Sequence, residues 1–88
     1  MILKTLYSGS GSGAQASVPF WNFPSTTGNL QFVGGAASVL IQGSCDNTNF
    51  IDVVTLNSTT RGAHVAMFPF MRANITTPGG NNTIFITQ

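Results

Sequence analysis

A single histidine, His64, and a single cysteine, Cys45, bound the chemistry open to this chain. A Cys–His nucleophile needs an imidazole beside the thiol to draw out the thiolate. Cys45 stands between Ser44 and Asp46 in a turn-forming run, without the glycine-rich flanks usual for cysteine nucleophiles. A Cys/His zinc site needs more of both residues than the chain has. Its 8 serines permit a Ser–His–Asp triad on paper, but no Gly-x-Ser-x-Gly elbow is present to expose a nucleophile. Acid–base catalysis by paired carboxylates would rest on Asp46 in a turn and Asp52 in a strand, since there is no glutamate. Asp46-Asn47-Thr48-Asn49 faintly resembles a calcium loop but lacks the glycine and the distal bidentate glutamate of an EF-hand. A type I or Asx turn accounts for it. No glycine pair opens a helix as a phosphate cradle does. The expectation is a non-enzyme, with no catalytic residue, no cofactor and no metal.

The elements that would carry any binding residue come from an unusual composition. Only 6% of the 88 residues are charged: Lys4, Arg61 and Arg72 against Asp46 and Asp52. Soluble domains carry about 25%. Neutral polar residues replace the missing charge, with 11 Thr, 8 Ser, 8 Asn and 4 Gln. A net charge of +1 gives no footprint for a phosphate backbone, so no nucleic-acid partner is expected. No apolar run approaches the roughly 20 residues that span a bilayer, and the first residues do not read as a signal peptide. One small domain with neither a disulfide nor a zinc staple implies a homo-oligomer or another protein partner. Scarce surface charge implies the same.

Strands are expected at residues 30–33, 36–42, 50–56 and 83–87, and across 63–77 in two pieces broken near Pro69. In 36–42, Ala37, Val39 and Ile41 share one face, and Ser38, Leu40 and Gln42 the other. Residues 43–49, 57–62 and 78–81 read as turns or polar connections. No helical period survives the glycines, prolines and β-branched clusters. The fold class is all-β: a small antiparallel β-sandwich or jelly-roll-like domain with an extended N-terminal arm.

The arm is residues 1–17 and the sandwich 18–88. The Ser-Gly tract 8–13 separates an apolar tip, Ile2, Leu3, Leu6 and Tyr7, from the rest. Residues 2–7 read equally as a mobile arm that orders against a partner or as the domain's first strand. Under the arm reading, deleting residues 1–13 weakens attachment and leaves the sandwich folded. Val18-Pro19-Phe20-Trp21-Asn22-Phe23-Pro24 is either a core plug or an aromatic anchor for a partner. The expected partner interface is Tyr7, Phe20, Trp21 and Phe23. Arg72 sits mid-strand among apolar residues and needs a partner. Asp52 is the natural one, so the two are expected to pair within the sheet or to face a neighbouring subunit.

Three stretches carry a family resemblance: a strand ending Gly43-Ser44-Cys45-Asp46, an aromatic-led strand from Phe50 ending Thr55-Leu56, and Phe70-Met71-Arg72-Ala73-Asn74-Ile75-Thr76. Over about residues 38–87 the chain resembles the small β-sandwich proteins of tailed-phage virions, especially capsid decoration (cement) proteins. Phage tail and fibre modules share the same rhythm. The resemblance implies a β-sandwich, often trimeric, on the capsid exterior, bridging major capsid proteins and lacking an active site. A tail or fibre module, or a glycan-binding sandwich with Trp21 as a sugar platform, is the alternative. The mark of glycan binding would be an exposed aromatic among converging Asn and Asp side chains.

Overall fold

The structure, a computed structural model, describes residues 3–20, 26–35 and 38–87. Nine strands follow one another without a helix among the described residues: β1 (Leu3–Gly9), β2 (Gly13–Ala14), β3 (Val18–Pro19), β4 (Thr27–Gly34), β5 (Ser38–Ser44), β6 (Ile51–Leu56), β7 (Gly62–Ala66), β8 (Phe70–Thr77) and β9 (Asn82–Thr87). They form two antiparallel sheets packed together, compatible with a small β-sandwich. The first has the order β1-β9-β4-β7 and the second β2-β8-β5-β6, with β3 also paired to β8.

A period of two explains the packing. Successive side chains of a strand point to opposite faces, so alternate apolar residues build one buried wall. In β4, Gly28, Leu30 and Phe32 point inward, and Thr27, Asn29, Gln31 and Val33 point out. In β9 the inward set is Asn82, Ile84 and Ile86. Val39 and Ile41 of β5 and Met71, Ala73 and Ile75 of β8 supply the opposing wall. The face expected to carry Val39 and Ile41 is the buried one. A one-residue slip in any of these strands would turn its whole apolar set outward, so the register is tightly specified. Pro69 divides β7 from β8, as its lack of an amide proton requires.

The connections follow turn chemistry. Asn57 Oδ1 accepts the amide protons of Thr59 (2.9 Å) and Thr60 (2.8 Å) between β6 and β7. Gly80 takes φ +65° between β8 and β9, a left-handed conformation that suits glycine.

The N-terminal segment departs from the arm expectation. Leu3–Gly9 is an edge strand of the first sheet, paired with β9 from Leu3 opposite Thr87 to Gly9 opposite Asn82. Leu6 is 4% exposed within the core. Of the two readings for residues 2–7, the described part, from Leu3 on, is therefore strand, and the sandwich begins well before residue 18. The Ser-Gly tract is the crossing between the two sheets. It is pinned by the Gly11 amide donating to the Tyr7 hydroxyl (2.8 Å) and by Gln15 Nε2 donating to Ser12 O (3.0 Å). The physical reason is the β9 edge: without β1 its amides would lack ladder partners and one side of Ile84 and Ile86 would lie open.

Leu6→Ala should therefore lower unfolding stability by about 2–5 kcal/mol, the usual cost of emptying a buried leucine site. Urea titration followed by circular dichroism measures it. A mobile arm would leave the transition unmoved.

Candidate interaction surface

The outward residues of the first sheet align in cross-strand rows. Leu3, Thr87, Asn29 and His64 form one row; Thr5, Phe85, Gln31 and Gly62 form the next; Ser8, Thr83 and Val33 form the third. The hydroxyls of Ser8 and Thr83 lie 3.2 Å apart, so one donates to the other. His64 Nδ1 is 2.9 Å from Asn29 Oδ1. An amide oxygen only accepts, so Nδ1 carries the proton in this contact. Leu3 is 65% exposed and Val33 49%. Leu3, Phe85, Thr87, Asn29 and Gln31 line a groove of about 350 Å3 floored by Leu30.

No formally charged residue stands in these rows, because all five are used elsewhere. Lys4 turns inward: its ammonium donates to Pro19 O (3.1 Å) and lies 5.0 Å from the centroid of the Phe20 ring. Arg61 caps the Phe32 ring at 5.4 Å and donates to Gly34 O at 3.3 Å. Asp46 is held in its turn, and Arg72 and Asp52 lie on the outer face of the second sheet. The result is a wide β-surface made of Thr, Asn, Gln and three large apolar residues. Such a face can bury apolar area and trade amide and hydroxyl hydrogen bonds, but it offers no ion pair.

The expected Asp52–Arg72 pair is not a direct one. Arg72 Nε donates to Gln42 Oε1 (2.8 Å), and Gln42 Nε2 donates to Asp52 Oδ1 (3.0 Å). The strand order is the reason: β5 lies between β8 and β6, and Gln42 stands opposite both Arg72 and Asp52. The Arg72 guanidinium also lies 3.9 Å over the Phe50 ring. The arginine thus finds both a polar and a π partner, as a half-buried cation requires.

The expected interface residues divide. Phe20 is 3% exposed and its amide donates to Pro69 O (2.7 Å), so it is a core plug and not a contact. Tyr7 packs half-buried against the core, with its hydroxyl held by Gly11. Trp21 and Phe23 lie outside the described residues. Val33 and Phe85 are surface residues outside the expected contacts, and Leu3 was expected only as part of the arm's apolar tip. The signal for Phe85 was present, since Thr83-Ile84-Phe85-Ile86-Thr87 places it on the threonine face.

Cys45 and His64 do not form a pair. Cys45 is exposed in the β5–β6 turn of the second sheet, while His64 is bonded to Asn29 in the first. No group of three His, Cys, Asp or Glu occurs among the described residues. No described helix is long and apolar enough to cross a membrane.

Asp46 has the role expected of an Asx turn. Its Oδ1 accepts the amides of Asn49 (2.8 Å) and Thr48 (2.9 Å) and the Ser44 hydroxyl (2.8 Å), and its Oδ2 accepts Asn49 Nδ2 (2.8 Å). Asn47 takes φ +60° at the apex. The Asn49 amide first, then that of Thr48 and the two side chains, holds the Asp46 carboxyl well below the usual 3.8.

A depressed folded-state value means that Asp46 stabilises the fold above its unfolded value and loses that contribution as pH falls below about 4. Asp46→Asn keeps an acceptor for the amides but has no carboxyl to titrate. Its urea midpoint should fall less than that of the natural chain on acidification; coincident pH profiles would contradict the turn's role. For the polar chain, a double-mutant cycle on Arg72 and Asp52 should give about 0.5 kcal/mol of coupling, removed by Gln42→Ala. Coupling that survives that change would mean a direct ion pair.

The chain matches no protein-family model, no curated protein and no solved structure.

Proposed function

We propose that this chain is a non-catalytic structural protein that attaches to other protein through the outer face of its first sheet. Its setting is the exterior of a phage capsid, where it cements neighbouring major capsid proteins. The observation that carries the attachment is the uncharged face itself, with its groove between Leu3 and Phe85. The capsid setting draws its support from the resemblance of residues 38–87 to decoration proteins. All five formal charges are drawn away from one broad face, and that face keeps exposed Leu3 and Val33. Burying it gains about 25 cal/mol per Å2 of apolar surface. Repetition of the contact by shell symmetry, or through a homo-oligomer such as a trimer, multiplies a modest affinity into firm attachment.

A second reading has a specific observation behind it. Phe85 stands among Asn29, Gln31 and Thr87, an aromatic with converging amide and hydroxyl groups, as a neutral glycan site requires. This site would use Phe85 in place of Trp21 as the sugar platform.

The deciding experiment is co-sedimentation with intact particles, with the ratio to the shell subunit quantified. Cement predicts near-equal copies, and Phe85→Lys should weaken attachment about tenfold or more while the fold is retained. A few copies per particle would place the chain in a tail or fibre. Binding on a glycan array that Phe85→Lys abolishes, without particle binding, would overturn the attachment reading.

A further inference from the structure

We propose that β7 is a self-pairing edge, through which two copies of this chain join their first sheets about a two-fold axis at His64. The inference stands on the strand ladder and does not depend on the capsid reading.

The ladder fixes which backbone groups are open. The Phe32 amide donates to Arg61 O (2.7 Å) and the Met67 amide to Thr26 O (2.8 Å), at the two ends of the β4–β7 register. Antiparallel pairs alternate between bonded and non-bonded. The odd positions from Arg61 to Met67 therefore bond to β4, and the amides and carbonyls of Gly62, His64 and Ala66 point away from it. All three residues are exposed. Among the described residues, β7 is the terminal strand of its sheet.

Unpaired edges invite strand addition, and proteins block them with charge, proline, bulges or brevity. The other described edges carry such devices. β1 has a register irregularity between Thr5 and Tyr7 and an inward-turned Lys4. β6 carries exposed Asp52 beside the register shift at Ile41/Gln42. β2 and β3 are two residues each, and β3 contains Pro19. β7, Gly-Ala-His-Val-Ala, has no formal charge, no proline and no register shift.

The occupant is a second copy because the strand complements itself. With the axis at His64, Gly62 of each copy faces Ala66 of the other, and His64 faces His64. These are the positions whose amides and carbonyls point outward, so each pair can exchange two hydrogen bonds. Ala63 faces Val65 on the inner side, adding an apolar contact. Within Gly62–Ala66 no large residue opposes another except the central histidine; just beyond, Arg61 of each copy falls opposite Met67 of the other, so no fixed like charges meet. Closure about a two-fold axis ends the assembly at two copies and avoids open fibres.

Sedimentation velocity on the full chain at rising concentration, up to millimolar, tests the proposal, and a monomer–dimer equilibrium is expected. Ala66→Pro removes an outward amide proton and no β4 bond, so it should give a monomer with unchanged circular dichroism. Should that variant unfold, His64→Lys, which sets two cations across the axis, should give the same monomer. In a Cys45→Ser background, His64→Cys should oxidise to a disulfide dimer, because bonded antiparallel pairs hold their Cα atoms about 5.5 Å apart. A chain that stays monomeric at millimolar concentration, a trimer, or a dimer that survives both Ala66→Pro and His64→Lys would overturn the proposal.

Discussion

One seam holds this molecule together: the apolar contact between the inner faces of its two sheets. With one cysteine and one histidine, the chain cannot form an internal disulfide or a Cys/His zinc site. Domains this small bury only about 60% of their unfolded surface, so the seam has little apolar area to spare. Val39, Ile41 and Leu56 from one sheet meet Phe32, Ile84 and Ile86 from the other, all at 1% exposure or less. Gly43 lies on the same seam, and a Cβ there would overlap the Phe68 ring. The seam also explains why Leu3–Gly9 joins the sheet. Leu6 closes the β1 side of the core, and β1 gives the β9 ladder its outer partner.

The few charges serve the periphery of that seam. Lys4 and Arg61 cover the Phe20 and Phe32 rings at two places where the core would meet water. Arg72 lies over Phe50 and reaches Asp52 through Gln42. Asp46 closes the β5–β6 turn with its own carboxylate. A cation over a ring shields apolar area while keeping part of its hydration. None of these charges is left to solvate the outer face of the first sheet.

Much of this was legible in the sequence, because strand periodicity is local. Alternation around Val39 and Ile41, the break at Pro69 and the self-capping Asp46 turn each depend on residues a few positions apart. What depends on strand order was not legible. Asp52 and Arg72 belong together in the sequence reading, but only the placement of β5 between β6 and β8 shows that Gln42 must join them. Phe20 could be anchor or plug, since an aromatic between prolines suits both. In the fold it is the plug: its ring is buried and its amide donates to the Pro69 carbonyl, 49 residues away. The groove is illegible in the sequence for the same reason: Leu3 and Phe85 come from opposite ends of the chain and meet only through the β1–β9 register.

The outer face and the β7 edge meet only along β7 itself, where Gly62 and His64 end two of the face's rows. Face contacts run perpendicular to the sheet, and edge contacts run within its plane. A copy paired through β7 as proposed would keep the rest of its threonine and asparagine rows free, and the pairing would set two such faces side by side in one continuous sheet. On the proposed attachment, the doubled surface would meet an underlying protein lattice with two footholds, so that a face contact and an edge contact reinforce each other once copies are arrayed. Neutral amides and hydroxyls keep the exposed rows hydrated. A face dominated by fixed charge would stay hydrated equally well, but it would oppose the close approach of identical copies. The scarcity of charge in this sense suits the proposed contacts, between copies and with an uncharged partner surface.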